Sequence, residues 1–174
     1  TGQLLRSFEG HTDAIHCAVF SPNARWLLSA SADKSLRLWD ASSAQLLRSI
    51  EDPGKHINSA VFSPDSRAVL SSSDDGTLKL WDVASGQLVR HFEGHDAAIN
   101  SAVFSIDGSQ ILSASDDSTL KLWDAASGQL LRLFEGHGSW VMSGAFSPDS
   151  RRILSASWDD TLKVWDANSG AIIH

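Results

Sequence analysis

Apolar and polar positions along this chain return in one order every 42 residues. In the first pass, Ala14 to Phe20 is an apolar, β-rich run, the pattern of a strand buried on both faces. Ser21-Pro22-Asn23-Ala24 has turn chemistry, Trp26 to Ser31 is apolar again, Asp33-Lys34 marks a tight turn, and Leu36 to Trp39 follows. Asp40-Ala41-Ser42-Ser43 then turns into a mixed strand at residues 45–50. The pattern predicts strands a (14–20), b (26–31), c (36–39) and d (45–50), all short and antiparallel, and no ten-residue stretch carries a helical period. The stretch Ser29 to Asp40 recurs as Ser71 to Asp82, Ser113 to Asp124 and Ser155 to Asp166.

A fixed period of this length means one supersecondary unit copied and stacked. Each unit exposes two apolar faces, and only neighbours on both sides cover them. Four-stranded sheets repeated at this spacing predict an all-β fold, a β-propeller of four-stranded antiparallel blades, with four blades in the chain. The expected boundaries within a single domain, 1–174, are an N-terminal d-type strand at 1–8 and blades at about 9–50, 51–92, 93–134 and 135–174.

Charge and composition narrow the function. Fourteen basic against 21 acidic residues give a net charge of −7, and the basic residues are spread at repeat spacing rather than clustered, which argues against nucleic acid as a partner. Arg6, Arg48, Arg90 and Arg132 recur, each followed three residues later by Glu9, Glu51, Glu93 or Glu135, and read as solvated strand with its own counter-charges. No apolar run has the length of a membrane span, so no membrane partner is expected. The lone Cys17 excludes an internal disulfide and suits a reducing compartment, so the expected location is cytoplasmic. His16, His56, His91 and His174 share no ligand spacing, and no Gly-rich phosphate loop precedes a helix; no metal or other cofactor is expected.

Gly-His, Phe-Ser-Pro-Asp, Ser-x-Asp and Leu-x-Leu-Trp-Asp, recurring in one register over the whole chain, resemble the WD-repeat β-propeller family. The resemblance implies a buried structural tetrad in each blade, running from Trp to Ser to His to Asp: His11, Ser31, Asp33, Trp39 in blade one; His95, Ser115, Asp117, Trp123 in blade three; His137, Ser157, Asp159, Trp165 in blade four. Blade two keeps Ser73, Asp75 and Trp81 but has Asp52-Pro53 in place of Gly-His, with His56 three residues beyond the vacant position, and is expected to be the weakest. Ser, His and Asp together invite a hydrolase reading. A serine committed to a tryptophan and copied once per blade is instead a scaffold device, so no catalytic residue is assigned.

The resemblance also places the d–a loops and b–c turns on one face, the top, where the family commonly receives protein partners. Candidate binding residues there are His16, Lys34, His56, Trp140, Met142 and Trp158, with the aromatics gathered in blade four. The expected function is a non-enzymatic scaffold for an unknown protein or peptide. The alternatives are a regulatory segment of a larger bacterial signalling protein or enzyme, and an array made for studying repeat assembly. Four blades closing alone must turn about 90° each, against about 45° for eight, so a homodimer completing an eight-bladed ring is expected. In it, Gln3 to Phe8 of one copy adds to strand c of the other's blade four (Leu162 to Trp165), with Ser169 to His174 as the competitor.

Overall fold

The computed structural model describes residues 2–52 and 54–173. From the sequence, Pro53-Gly54 is expected to turn differently from the other blades; Pro53, like Thr1 and His174, lies outside the described residues.

The fifteen strands follow the predicted order closely. Blade one holds β1 (Ile15–Phe20), β2 (Trp26–Ser31), β3 (Ser35–Asp40) and β4 (Leu46–Glu51). Blade two holds β5 (Ile57–Phe62), β6 (Ala68–Ser73), β7 (Leu78–Asp82) and β8 (Leu88–Phe92). Blade three holds β9 (Ile99–Phe104), β10 (Gln110–Ser115), β11 (Leu120–Asp124) and β12 (Leu130–Phe134). Blade four holds β13 (Val141–Phe146), β14 (Arg152–Ser157) and β15 (Leu162–Asp166). Strands in each sheet are antiparallel and ordered as in the sequence, and no helix occurs among the described residues.

Two expected strands differ. The outer strand of blade four is reduced to one bridge, Trp165 to Ile172, with a further hydrogen bond from Ile173 N–H to the Val164 carbonyl (2.7 Å). Residues 3–8 form no strand: they join no sheet among the described residues, and a strand without a ladder partner has no hydrogen bonds to hold it. They lie instead along blade one, where Gln3 to Arg6 and Phe8 line a cleft with Phe20, Leu27 and Ala41.

Packing between blades follows one rule. The first apolar residue of each inner strand, Ile57, Ile99 or Val141, is buried against a leucine pair of the preceding blade: Leu28 and Leu36, Leu70 and Leu78, or Leu112 and Leu120. Each of these residues is 0–1% exposed. At the ends of the stack the same positions are bare: Ile15 is 51% exposed at one end, Leu154 44% and Leu162 66% at the other.

Two polar side chains reinforce each junction. The inner strands carry a β-bulge at residues 16, 58, 100 and 142, which re-aims the bulged side chain. His16 Nδ1–H donates to the Ile57 carbonyl (3.1 Å), Asn58 to that of Ile99 (3.2 Å) and Asn100 to that of Val141 (3.0 Å). On the outer edge, Arg48 donates to the carbonyls of Ser85 (2.8 Å) and Ala84 (2.5 Å), Arg90 to Ser127 (2.8 Å) and Arg132 to Ser169 (3.0 Å). These arginines therefore fasten one blade to the next, and no ion pair joins them to the glutamates three residues on among the described residues. That corrects their reading as merely solvated charges.

Candidate functional site

Each tetrad is built where the d–a loop folds over the b–c turn. The backbone joins the two at one rung per blade: Ala32 N–H to Ala14 carbonyl (2.9 Å), Asp74 to His56 (3.1 Å), Asp116 to Ala98 (2.9 Å) and Trp158 to Trp140 (2.9 Å). Beneath that rung, Trp39 Nε1–H donates to Ser29 Oγ (2.9 Å), Ser29 Oγ lies 2.6 Å from His11 Nε2, and His11 Nδ1 lies 2.8 Å from Asp33 Oδ2. Blade three repeats the chain through Trp123, Ser113, His95 and Asp117, at 2.9, 2.7 and 2.6 Å. Blade four repeats it through Trp165, Ser155, His137 and Asp159, at 2.8, 2.7 and 2.7 Å.

The serine is two residues earlier than the sequence reading placed it: Ser29, Ser71, Ser113 and Ser155, rather than Ser31, Ser73, Ser115 and Ser157. Register decides this. Trp39 pairs with Leu27, and Leu27, Ser29 and Ser31 share one face of the strand. One step along that face is roughly 7 Å, within reach of an indole, whereas Ser31 is roughly 13 Å away. Ser31 serves the turn instead, accepting from Asp33 N–H (3.0 Å) and donating to the Asp13 carbonyl (3.2 Å). Ser73, Ser115 and Ser157 do likewise, bonding the His56 (3.0 Å), Ala98 (2.9 Å) and Ser139 (3.1 Å) carbonyls.

The direction of the chain follows from its ends, because indole can only donate and carboxylate can only accept. With one proton on the imidazole, the serine hydroxyl donates to Nε2 and Nδ1–H donates to the aspartate. The aspartate collects further donors: in blade one Thr12 N–H (3.0 Å), Ser35 N–H (3.0 Å) and the Ser35 hydroxyl (2.7 Å). Burial works to raise the Asp33 pKa, but the bonds from Ser35, Thr12 and His11 outweigh it and hold it below the usual carboxylate range. Asp117 is lowered in the same way, against burial, by His95 and Thr119, and Asp159 by Thr161 first, with Gly138 and His137.

The wiring of Ser, His and Asp is that of a hydrolytic triad. It cannot act as one on an outside substrate, since Ser29, Ser113 and Ser155 are 7%, 0% and 1% exposed and each is covered by an indole.

Blade two solves the same space differently. Trp81 still donates to Ser71 (2.9 Å), with no histidine beyond. Asp52 stands where the other blades have glycine, and its wholly buried carboxylate meets Lys79 Nζ at 2.5 Å. Gly54 admits this pair: a Cβ there would fall 2.5 Å from Asp75 Oδ2, 3.1 Å from Asp52 Oδ1 and 3.3 Å from Lys79 Nζ. Asp75 Oδ1 accepts from the Thr77 N–H (3.1 Å) and hydroxyl (2.5 Å). His56 takes no part; half exposed, it sits 3.8 Å from Asp74. A charge at a glycine position, beside a lysine one blade-face away, is the signal that could have found this pair.

The six top-face candidates fall into separate groups. Trp140 and Trp158 meet, their rings 4.7 Å apart and tilted by 33°, with 43% and 62% of their surfaces exposed. Met142, partly exposed, receives the Asn100 amide at 3.7 Å. His16 is committed to the next blade, Lys34 stands exposed at a turn tip with φ of 68°, and His56 faces Asp74. No group of three His, Cys, Asp or Glu suited to a metal ion occurs among the described residues.

Known proteins match in the same register. The family described as "WD domain, G-beta repeat" matches residues 2–40, 44–82, 86–124 and 128–166. Among curated relatives, the human WD repeat-containing protein 36 is 46% identical over 43 residues, 25% of this chain and 5% of that protein. The zebrafish (Danio rerio) POC1 centriolar protein homolog B is 51% identical over 37 residues, 21% of this chain and 8% of that protein. The chicken (Gallus gallus) serine-threonine kinase receptor-associated protein is 45% identical over 42 residues, 24% of this chain and 12% of that protein. The matches thus span about one repeat and a small part of each relative. With its four repeats all matched and three of its four blades wired from tryptophan to aspartate, the chain belongs to the WD40 repeat family.

Proposed function

We propose that this chain is a non-enzymatic scaffold that binds a protein or peptide on its top face, at the stacked Trp140 and Trp158 of blade four. The observation that carries this is the pair itself. The rung that joins d–a loop to b–c turn bears two alanines in blade one, a histidine and an aspartate in blade two, and two exposed indoles here. Large, rigid aromatic surface loses little conformational entropy on contact, and tryptophan is enriched among the residues that dominate interface energies. Membership in the repeat family supports the same class of function.

The test is a displayed peptide library selected on the protein and then measured against Trp140→Ala/Trp158→Ala. Loss of an interface hot spot of about 2 kcal/mol weakens binding by about 30-fold. Peptides bound equally by both proteins would overturn the assignment. In parallel, acrylamide-quenchable tryptophan emission should fall in Trp140→Phe/Trp158→Phe to what the part-exposed Trp26 contributes, since Trp39, Trp81, Trp123 and Trp165 are at most 6% exposed.

The scaffold works, in this reading, as a ring of two copies. Ile15 at one end of the stack and Leu154 with Leu162 at the other are the two halves of the junction that is buried between all other blades. A two-fold related copy supplies both missing halves and completes eight blades in one unit. Light scattering should give twice the 18.8 kDa chain mass, and a folded monomer at micromolar concentration would remove the ring.

A further inference from the structure

Folding gathers three arginines that the sequence scatters. At the end of the strands opposite Trp140 and Trp158, a cleft of about 460 Å³ lies between blades one and two. Arg25 and Trp26 stand at the start of β2, Arg48 comes from β4, and Arg67 precedes β6 across the junction. Trp26, Leu38, Leu47 and Val83 give the cleft apolar walls. No ion pair engages any of the three guanidiniums among the described residues. Asp82, the one acidic residue of the lining, spends a carboxylate oxygen on the Ser85 N–H and hydroxyl, both at 2.7 Å.

Two of these cations are placed by their neighbours. Arg25 lies over the Trp26 ring, its Cζ 5.5 Å from the ring centroid, so the indole steadies the charge. Arg48 is fixed by the Ala84 and Ser85 carbonyls, and of its five N–H donors three are left over.

The repeat shows what is particular to this junction. Between blades two and three, Ala68 stands in the place of Trp26 and Ser109 in that of Arg67. Between blades three and four, a cleft of about 560 Å³ keeps Arg132 and Arg151 but has Ser109 for Arg25 and Gln110 for Trp26. Three cations and an indole therefore meet at one junction alone among the described residues. Blades that fold with serine, alanine or glutamine at these places show that folding does not require the combination.

We infer that this cleft binds an acidic peptide segment carrying one apolar side chain, its carboxylates on Arg25, Arg48 and Arg67 and its apolar group between Trp26, Leu47 and Val83. Charge selects that partner. A chain of net charge −7 repels an acidic peptide over most of its surface and attracts it here. Guanidinium and carboxylate pair as two forks, which fixes orientation as well as affinity. A nucleic-acid backbone asks instead for a long basic track, which a single junction does not offer. The site is remote from the aromatic pair of blade four and stands independently of the top-face reading.

Calorimetric titration with the acetylated peptide Asp-Glu-Leu-Glu-Asp tests this. One equivalent should bind per chain, more weakly as salt is raised, and Trp140→Ala/Trp158→Ala should leave it unchanged. Arg25→Ser/Trp26→Gln, which installs the residues of blade three, should weaken binding roughly tenfold or more. The reverse graft, Ser109→Arg/Gln110→Trp, should add a second equivalent between blades three and four, a gain that misfolding cannot mimic. No binding by the parent protein, or a single equivalent in the graft, overturns the inference. Equal binding of a peptide with serine in place of leucine reduces it to unspecific charge attraction. Equal affinity for indole-3-acetate would give the cleft to a small organic anion, and tighter binding of an oligothymidylate would give it to nucleic acid; either result removes the peptide.

Discussion

Replacing Ser113 by alanine isolates the centre of a buried network. Ser113 is 0% exposed; its hydroxyl accepts from Trp123 Nε1–H (2.9 Å) and lies 2.7 Å from His95 Nε2. Alanine keeps the backbone and nearly the volume but strands one indole donor and one imidazole acceptor. Each stranded buried group costs about 1–3 kcal/mol, so the substitution should cost roughly 3 kcal/mol. For a chain of this size that is a fall in Tm of roughly 6–12 °C. Ser115→Ala strands less, because the Ala98 carbonyl keeps the Asp116 N–H (2.9 Å) and only Asp117 N–H loses its acceptor. The decisive measurement is a double-mutant cycle with Trp123→Phe, read by urea unfolding in far-ultraviolet circular dichroism at one protein concentration. Phenylalanine removes the N–H that Ser113→Ala strands, so these two changes should couple by about 1–2 kcal/mol. Ser115→Ala with Trp123→Phe should add within about 0.5 kcal/mol. Additivity at Ser113 together with coupling at Ser115 would falsify the register argument and restore the later serine to the network.

Three further outcomes are expected. Lys79→Met leaves the buried Asp52 carboxylate without its partner and should cost about 3–5 kcal/mol in urea unfolding, whereas Lys34→Ala, at an exposed turn tip, should stay within about 0.5 kcal/mol. Ala44 holds φ of 62° at a position where Gly86, Gly128 and Gly170 stand in the other blades, so Ala44→Gly should raise stability by about 0.5–1 kcal/mol; a loss would show that the turn tolerates alanine. Asp117 titrates below its unfolded value near 3.9, so the unfolded chain takes up its proton first. Its stabilisation is therefore complete above about pH 4 and is lost as pH falls from there. The urea midpoint should drop less steeply between pH 5 and pH 3 in Asp117→Asn than in the parent; equal slopes would remove Asp117 from the acid response.

Much of the fold is legible in the chain, because turns and apolar runs recur with the same residue types four times. Even the turn after each Trp-Asp pair is written in side chains: Asp40 accepts from Ser42 and Ser43, and Asp82, Asp124 and Asp166 accept from Ser85, Ser127 and Ser169. What was illegible depends on distance rather than type. Ser29 and Ser31 have the same chemistry on the same face, and only the cross-strand register of Trp39 separates them. The arginine clamps end on main-chain carbonyls, which carry no sequence signature, so Arg48, Arg90 and Arg132 read as ordinary surface charge. Residues 3–8 have the composition of a strand, yet a strand also needs a partner edge, and none is paired with them among the described residues.

The clamps and the bulges together have a geometric consequence. Each junction is pinned near the hub by His16, Asn58 or Asn100 and at the rim by an arginine, so neighbouring blades are held at two radii rather than one. A wedge pinned at tip and base cannot fan open or shut, and its angle is set by the difference between the two spans. How many wedges complete a circle is then a matter of curvature stored locally at every joint. The circumference is thus specified inside the arc, between each blade and the next, before any two ends have met.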